Sequence, residues 1–267
     1  MSVRALVLTG YGINCDAETE FAFRRAGALA ERVHVNDLIA DPAILRHYHI
    51  LAVPGGFSFG DDIASGKVLA NRLRYKLGDP LQQFVRDGKL AIGICNGFQV
   101  LVKMGMLPLL NGNFEQTVTL THNDSGRFED RWVDLVKPAN TPCAWLKGID
   151  RIQLPIRHGE GKFMAQDAAT LAALNAGGLV ALRYANATGA LAAGAFPANP
   201  NGSIEDIAGI CDPSGRIFGL MPHPEAFVVR TQHPQWTRLA LPEEGAGLQI
   251  FKSAVQYVAS QGIAAAS

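Results

Sequence analysis

The run Leu90-Ala91-Ile92-Gly93-Ile94-Cys95-Asn96-Gly97-Phe98-Gln99-Val100-Leu101 constrains this chain more than any other stretch. Residues 90–94 are apolar and partly β-branched, the composition of a short strand covered on both faces. Helical spacing follows in Phe98, Leu101, Val102 and Gly105. A single cysteine stands between strand and helix, with Gly93 two residues before it and Gly97 two after. That spacing suits a tight strand-to-helix elbow, where the backbone crowds and a Cβ does not fit. An elbow lifts the side chain at its apex out of the core. It also aims a helix N-terminus at that side chain, which favours thiolate over thiol. A cysteine beside an apolar strand is more often an inert core residue. The glycine flanks, and the groups found elsewhere in the chain, favour a nucleophile.

The remaining chain supplies a frame for such an elbow. Apolar, β-rich runs at 3–8, 29–35 and 49–53 read as strands. Helical patterns fall at 16–26, stopped by Gly27, at a short segment near 43–46, and at 63–75 and 81–86. Strands alternating with helices predict a parallel α/β sheet with right-handed crossovers, whose working groups gather at the carboxyl ends of strands. From about Met106 the pattern changes. Turn signals at Pro108, Asn111-Gly112 and 123–126 punctuate short runs at 116–121, 132–136, 152–156 and 179–184. These predict antiparallel or mixed strands inserted into the sheet or extending it. Runs at 206–211 and 216–221 flank Asp212-Pro213-Ser214-Gly215, a turn of hairpin length. An amphipathic helix is expected at 247–259 and a frayed tail at 262–267. No repeat, linker or second-domain boundary is visible, so 1–267 reads as a single domain.

Bulk properties exclude several classes. The sequence is 48% hydrophobic and 18% charged with a formal net charge of zero, a globular composition with no basic stripe for nucleic acid. Cys15, Cys95, Cys143 and Cys211 are scattered and form no Cys-x-x-Cys pair, which argues against a zinc ribbon or disulfide framework and fits a reducing compartment. Arg4 interrupts the first apolar run, so it reads as a strand and not a signal peptide. No apolar stretch approaches the roughly 20 residues that span a bilayer. The expectation is a cytoplasmic protein with no membrane and no nucleic-acid partner.

A cysteine nucleophile needs a base and a group that orients the base. Pro222-His223-Pro224-Glu225 follows the run at 216–221. Each proline pushes the residue before it out of the right-handed helical region. The segment is therefore expected to be extended, with His223 and Glu225 on one face. Glu225 would then accept from one imidazole nitrogen and raise the basicity of the other. Acyl chemistry also passes through an oxyanion, which needs aimed donors. The glycine turn Pro54-Gly55-Gly56 offers the Gly56 N–H, and the start of the elbow helix offers the Asn96 N–H.

Other patterns are discounted. Gly60 to Lys67 has five residues between its glycines and Val68 where a phosphate loop needs Ser or Thr. Gly10-Tyr11-Gly12 lacks the third glycine of a dinucleotide loop. His158-Gly159-Glu160 lacks the cysteine partners of a zinc deaminase, and His47-Tyr48-His49 has no further ligands near it. No metal site and no ATP motif is read.

Assembled, these pieces resemble the class I (triad) glutamine amidotransferases. That resemblance implies a flavodoxin-like α/β fold, a mostly parallel sheet flanked by helices with an added antiparallel part. Within the class, Gly10 to Asp16, Pro54 to Asp61, Gly93 to Gln99, His158 to Lys162, Asn199 to Ser203 with Ile207-Ala208-Gly209-Ile210, and Met221 to Glu225 resemble the glutaminase subunits of the phosphoribosylformylglycinamidine synthase family. The run Arg127 to Trp132 is similar to the long, fused form, whereas the chain has the length of a stand-alone glutaminase.

The resemblance implies that Cys95 attacks the side-chain amide of L-glutamine, His223 shuttles protons and Glu225 orients it. Gly56 and Asn96 would hold the oxyanion, and Gln99 would touch the substrate. It further implies no cofactor in this chain. ATP and magnesium would sit on a partner synthase subunit of phosphoribosylformylglycinamidine synthase, with or without a small accessory subunit. The polar, glycine-flanked His158-Gly159-Glu160 loop is expected on the partner-facing side. The rival readings are an amidotransferase serving a different synthase, a stand-alone cysteine hydrolase, and a binding subunit without activity.

Overall fold

The computed structural model describes residues 2–263 and 265. In chain order the elements are β1 (Arg4–Thr9), α1 (Asp16–Arg25), β2 (Leu29–His34), α2 (Val35–Ala40), β3 (Ile50–Val53), α3 (Lys67–Arg86), β4 (Leu90–Ile94) and α4 (Asn96–Met104). Then come β5 (Val118–Thr121), β6 (Glu129–Val136), β7 (Arg151–His158), β8 (Lys162–Ala165), α5 (Ala168–Ala176), β9 (Val180–Ala185), β10 (Ile207–Cys211), β11 (Ile217–Leu220) and α6 (Leu248–Gln261).

One nine-stranded sheet runs β2-β1-β3-β4-β11-β10-β9-β6-β7. From β2 to β11 every pairing is parallel. From β11 to β7 every pairing is antiparallel. The later strands thus extend the sheet as a wing, while β5 and β8 pair apart from it. Strands β3 and β4 are buried at every position, which explains why they read as unbroken apolar runs.

Helix α1 packs with α6 through Phe23 and Phe251, whose rings meet edge-on at 4.9 Å. Helix α3 packs with α4. Because the strand order reverses at β1, right-handed crossovers place these two pairs on opposite faces. Each fully buried Phe or Leu in these layers contributes about 1.5–3 kcal/mol over an exposed one.

The order 2-1-3-4 opens a crevice where β1 and β3 separate their crossovers, and ligands of such sheets bind outside the carboxyl ends there. Three connections converge on that edge: the turn after β1, the turn after β3, and the Cys95 elbow after β4.

Several local expectations are corrected. The separate helices at 63–75 and 81–86 are one helix, α3, which passes through Pro80. Leu69, Leu73, Leu77, Leu81 and Phe84 form one buried stripe along it. Burial of that stripe outweighs the roughly 3 kcal/mol that an interior proline costs. Residues 63–66 precede the helix, and Gly66 enters it with φ of 72°. Helix α5 presents no apolar stripe in the sequence, since only Leu174 of it is buried. Its alanines are the best helix formers, and the Asp167 carboxylate accepts from the Thr170 N–H at 2.7 Å to cap it. The short elements α2 and β8, of six and four residues, have too few positions for a periodic pattern to mark them. Gly262 ends α6 with φ of 62°, and three of the tail positions expected to fray, 264, 266 and 267, lie outside the described residues. No helix among the described residues is long and apolar enough to cross a membrane.

Candidate active site

Cys95 has φ 51° and ψ −107°, a conformation that costs a non-glycine residue about 1–3 kcal/mol. Its neighbours hold it there. The Cys95 N–H donates to the Leu220 carbonyl of β11 at 2.8 Å, and the Cys95 carbonyl accepts from Gln99 N at 3.1 Å. Gly97 shows why the elbow needs glycine: a Cβ there would meet the Val53 carbonyl oxygen at 1.7 Å. The end of β3 is packed directly against the first turn of α4. The Cys95 thiol donates to the Arg157 carbonyl at 3.6 Å, so β7 approaches the sulfur with its backbone.

His223 arrives from the end of β11. The stretch around it is not extended as expected. Pro224–Ala226 form a 3-10 turn, and His223 before it keeps a non-helical backbone, at φ −107° and ψ 89°. The turn, and not alternation along a strand, brings His223 Nδ1 to Glu225 Oε1 at 2.5 Å. Its amide donates to the Pro155 carbonyl at 2.8 Å, which fixes the ring's root to β7. Glu225 is completely buried and His223 nearly so. Burial pulls the imidazolium down, but the Glu225 carboxylate, then Cys95 and Cys15, outweigh it and hold His223 well above its ordinary value. With Nδ1–H donated to the carboxylate, Nε2 is the free end of the ring, and it has no hydrogen-bond partner among the described residues.

Gly56, Cys95 and His223 line one cavity of about 110 Å³ with Asn14, Cys15, Phe57, Phe128 and Arg157. A larger cavity of about 750 Å³ lies at the other end of the sheet, around Pro42, Leu45, Pro80, Phe84 and Lys89, and contains none of these groups. Neither the Gly56 nor the Asn96 backbone N–H donates to another described residue. Gly56 has φ of 149°, and a Cβ would lie 2.4 Å from the Gly12 carbonyl oxygen. The turn after β3 is thus stapled to the turn after β1. Phe57 N donates to Gly12 O at 2.7 Å and Asn14 N to Gly55 O at 3.3 Å.

Gln99 lies one helical turn below Cys95. It is buried, donates to the Glu160 carbonyl at 2.6 Å and accepts from Asn96 Nδ2 at 3.0 Å. It belongs to a polar network beneath the elbow and is not part of the cavity wall. The His158 loop lies beside the same network. His158 is buried, its Nδ1 bonds Asn123 Oδ1 at 3.1 Å, and burial followed by His223 pulls it down to about 3.

Sequence reasoning did not single out Cys15, Asn14, Phe128 or Arg157. Cys15 carried a usable signal, since it closes the glycine turn at the carboxyl end of the first strand. Its Sγ, one His223 ring nitrogen and one Glu225 oxygen lie within 4.8 Å of one another, donors of a kind that can hold a metal ion.

The profile of the CobB/CobQ-like glutamine amidotransferase domain matches residues 2–258. The chain belongs to this glutamine amidotransferase family. It is 48% identical to the phosphoribosylformylglycinamidine synthase subunit PurQ of Dehalococcoides mccartyi over 257 residues, 96% of this chain and 97% of that protein. It is 42% identical to the PurQ subunit of Methanococcus maripaludis over 268 residues, 95% and 97% of the two chains. Among solved structures, the PurLQS structure from Thermotoga maritima matches with a TM-score of 0.69 at 32% identity, covering 97% of this chain and all of that one. These likenesses run across the parallel half and the antiparallel wing alike.

Proposed function

We infer that this chain is the glutaminase subunit of a phosphoribosylformylglycinamidine synthase, acting in the cytoplasm as one domain. The observation that carries the chemistry is the buried His223–Glu225 pair at 2.5 Å, whose free Nε2 belongs to the cavity of Cys95.

In this reading Cys95 passes its thiol proton to His223 Nε2, and the thiolate attacks the side-chain amide carbon of L-glutamine. A C–S bond forms, and the oxygen becomes an oxyanion that the Gly56 and Asn96 N–H groups receive. The raised His223 is the proton donor. It passes its Nε2 proton to the departing nitrogen as the C–N bond breaks, releasing ammonia and leaving a γ-glutamyl thioester. Water then attacks the thioester and gives its proton to His223, the C–S bond breaks, and glutamate leaves. Glu225 keeps the ring oriented throughout.

Ammonia would pass to a synthase subunit, a partner of the kind implied by the name PurLQS of the similar Thermotoga structure. That subunit would hold ATP and magnesium and convert formylglycinamide ribonucleotide to the amidine. Free ammonia is protonated in water, so a closed passage and low activity of the isolated chain are expected. The direct test is incubation with a glutamine-like chloroketone, with and without the synthase subunit, followed by peptide mass mapping. One label on Cys95 that glutamine protects supports the reading. A label confined to Cys15 or the other cysteines rejects it.

A further inference from the structure

The Gly56 and Asn96 backbone donors come from two separate elements, so something must fix the distance between them. The turn that carries Gly56 continues into 57–61, where Phe59, Gly60 and Asp61 have φ of 54°, 68° and 55°. A run of left-handed residues holds its shape only when its surroundings over-determine it. The turn after β1 holds one side of it, with Phe59 N donating to Tyr11 O at 2.8 Å, and a single side chain holds it from the elbow. Asn96 Oδ1 accepts from Ser58 N at 3.2 Å, two residues after Gly56. Asn96 Nδ2 donates to Asp61 Oδ1 at 3.0 Å and to Gln99 Oε1 at 3.0 Å. Both amide hydrogens and the carbonyl are thereby used, in a residue that is 1% exposed. Asp61 is tied in turn to the residues before α3: its Oδ2 accepts from Ser65 Oγ at 3.0 Å and its Oδ1 from Gly66 N at 3.4 Å.

We propose that the Asn96 side chain, clamped between Ser58 and Asp61, is a positioning residue that sets the spacing of the Gly56 and Asn96 backbone donors. It does not touch the substrate; it acts through the turn it holds. The idea rests on the assignment of those two N–H groups to the oxyanion. It also explains why the residue after the nucleophile is an asparagine. Only a side chain that both donates and accepts at this length can bridge a backbone N–H and a carboxylate. The network ends on the loop after β7, where Gln99 Nε2 donates to Glu160 O at 2.6 Å and Glu160 Oε2 accepts from Ser65 N at 3.4 Å.

The test uses the full chain assembled with its synthase subunit. Asn96→Ala should lower kcat for glutamine hydrolysis about 100-fold, the effect of a displacement near 1 Å, with KM little changed. Alkylation of Cys95 by iodoacetamide needs no oxyanion and should keep its rate, which separates lost positioning from lost folding. Asn96→Asp places two carboxylates face to face and should be at least as slow. The double variant Asn96→Asp with Asp61→Asn exchanges donor and acceptor, so the amide introduced at 61 can donate to the carboxylate introduced at 96. It should recover at least about 10-fold over Asn96→Asp alone, as expected for coupled neighbours. An unchanged kcat in Asn96→Ala, or no recovery in the double variant, overturns the proposal. If Cys95→Ala also retains glutamine hydrolysis, it is the functional reading that fails.

Discussion

The two halves of the nine-stranded sheet serve the site in different ways. In the parallel half, β3, β4 and β11 are buried on both faces and end in the Gly56 turn, Cys95 and the approach to His223. In the antiparallel wing, β6 and β7 alternate between buried and partly exposed positions, and their contribution to the site is backbone. Pro155 O receives the His223 amide and Arg157 O receives the Cys95 thiol. The wing's loops are held by side-chain amides. Asn123 donates to the carbonyls of Arg127 at 2.9 Å and His158 at 2.8 Å, and Asn201 donates to Gly161 O at 2.9 Å. The parallel half thus delivers reactive side chains on rigid strand ends, and the wing clamps them from the side.

The largest effect should come from breaking the parallel half at its reactive end. His223→Asn should lower kcat about 10⁴-fold or more, and Glu225→Gln about 10²- to 10⁴-fold, because base and orienter act as a unit. Initial rates of glutamate release check both. If Glu225→Gln were slower than His223→Asn, the orienting role would be wrong.

Next is the seam between β3 and α4. Gly97→Ala drives a Cβ into the Val53 carbonyl, and about 3 kcal/mol of stability should be lost. A shifted denaturant midpoint at unchanged slope would show it.

The two buried histidines then set the halves against each other through pH. His158, in the wing, is held at about 3, so the unfolded chain binds its proton more readily. Its stabilising effect is complete above about 6.5 and falls away as pH drops toward 3, by about 4–5 kcal/mol. His223 has the opposite sign. Its raised value adds stability that is complete below about 6.5 and is lost as pH climbs through its folded value. Urea titrations between pH 4 and 7 should therefore show a flatter acid limb for His158→Gln than for the parent chain. An unchanged acid limb would remove His158 from this description.

The smallest effect lies far from both. Asp167→Ala removes the cap of α5 and should lower the denaturant midpoint only slightly while leaving kcat unchanged.

How much was legible follows the same division. The parallel strands bury both faces, so their apolar runs stand out, and the elbow was readable because two glycines flank one cysteine. The hairpin before His223 was readable from its turn. The pairing of His223 with Glu225 was expected for a geometric reason that does not hold, since spacing alone cannot tell a 3-10 turn from an extended pair. Pro80 misled because a local rule yields to a long buried stripe. Cys15 was readable from its place in the turn after β1, whereas Arg157 reaches the cavity from the antiparallel wing, whose approach no local pattern encodes. The buried network of Asn96, Asp61, Gln99 and Glu160 was invisible because its members come from separate elements, so the bonds that hold Gln99 to Asn96 and Glu160 had no local signal.

The most direct test of the central claim is Cys95→Ala in the assembled complex, assayed with glutamine and with ammonia as alternative nitrogen donors. Glutamine-dependent synthesis should vanish while ammonia-dependent synthesis persists, because the cysteine serves only to release ammonia. Equal loss of both activities, or glutamine-dependent synthesis that survives, would contradict the assignment of Cys95 as the nucleophile.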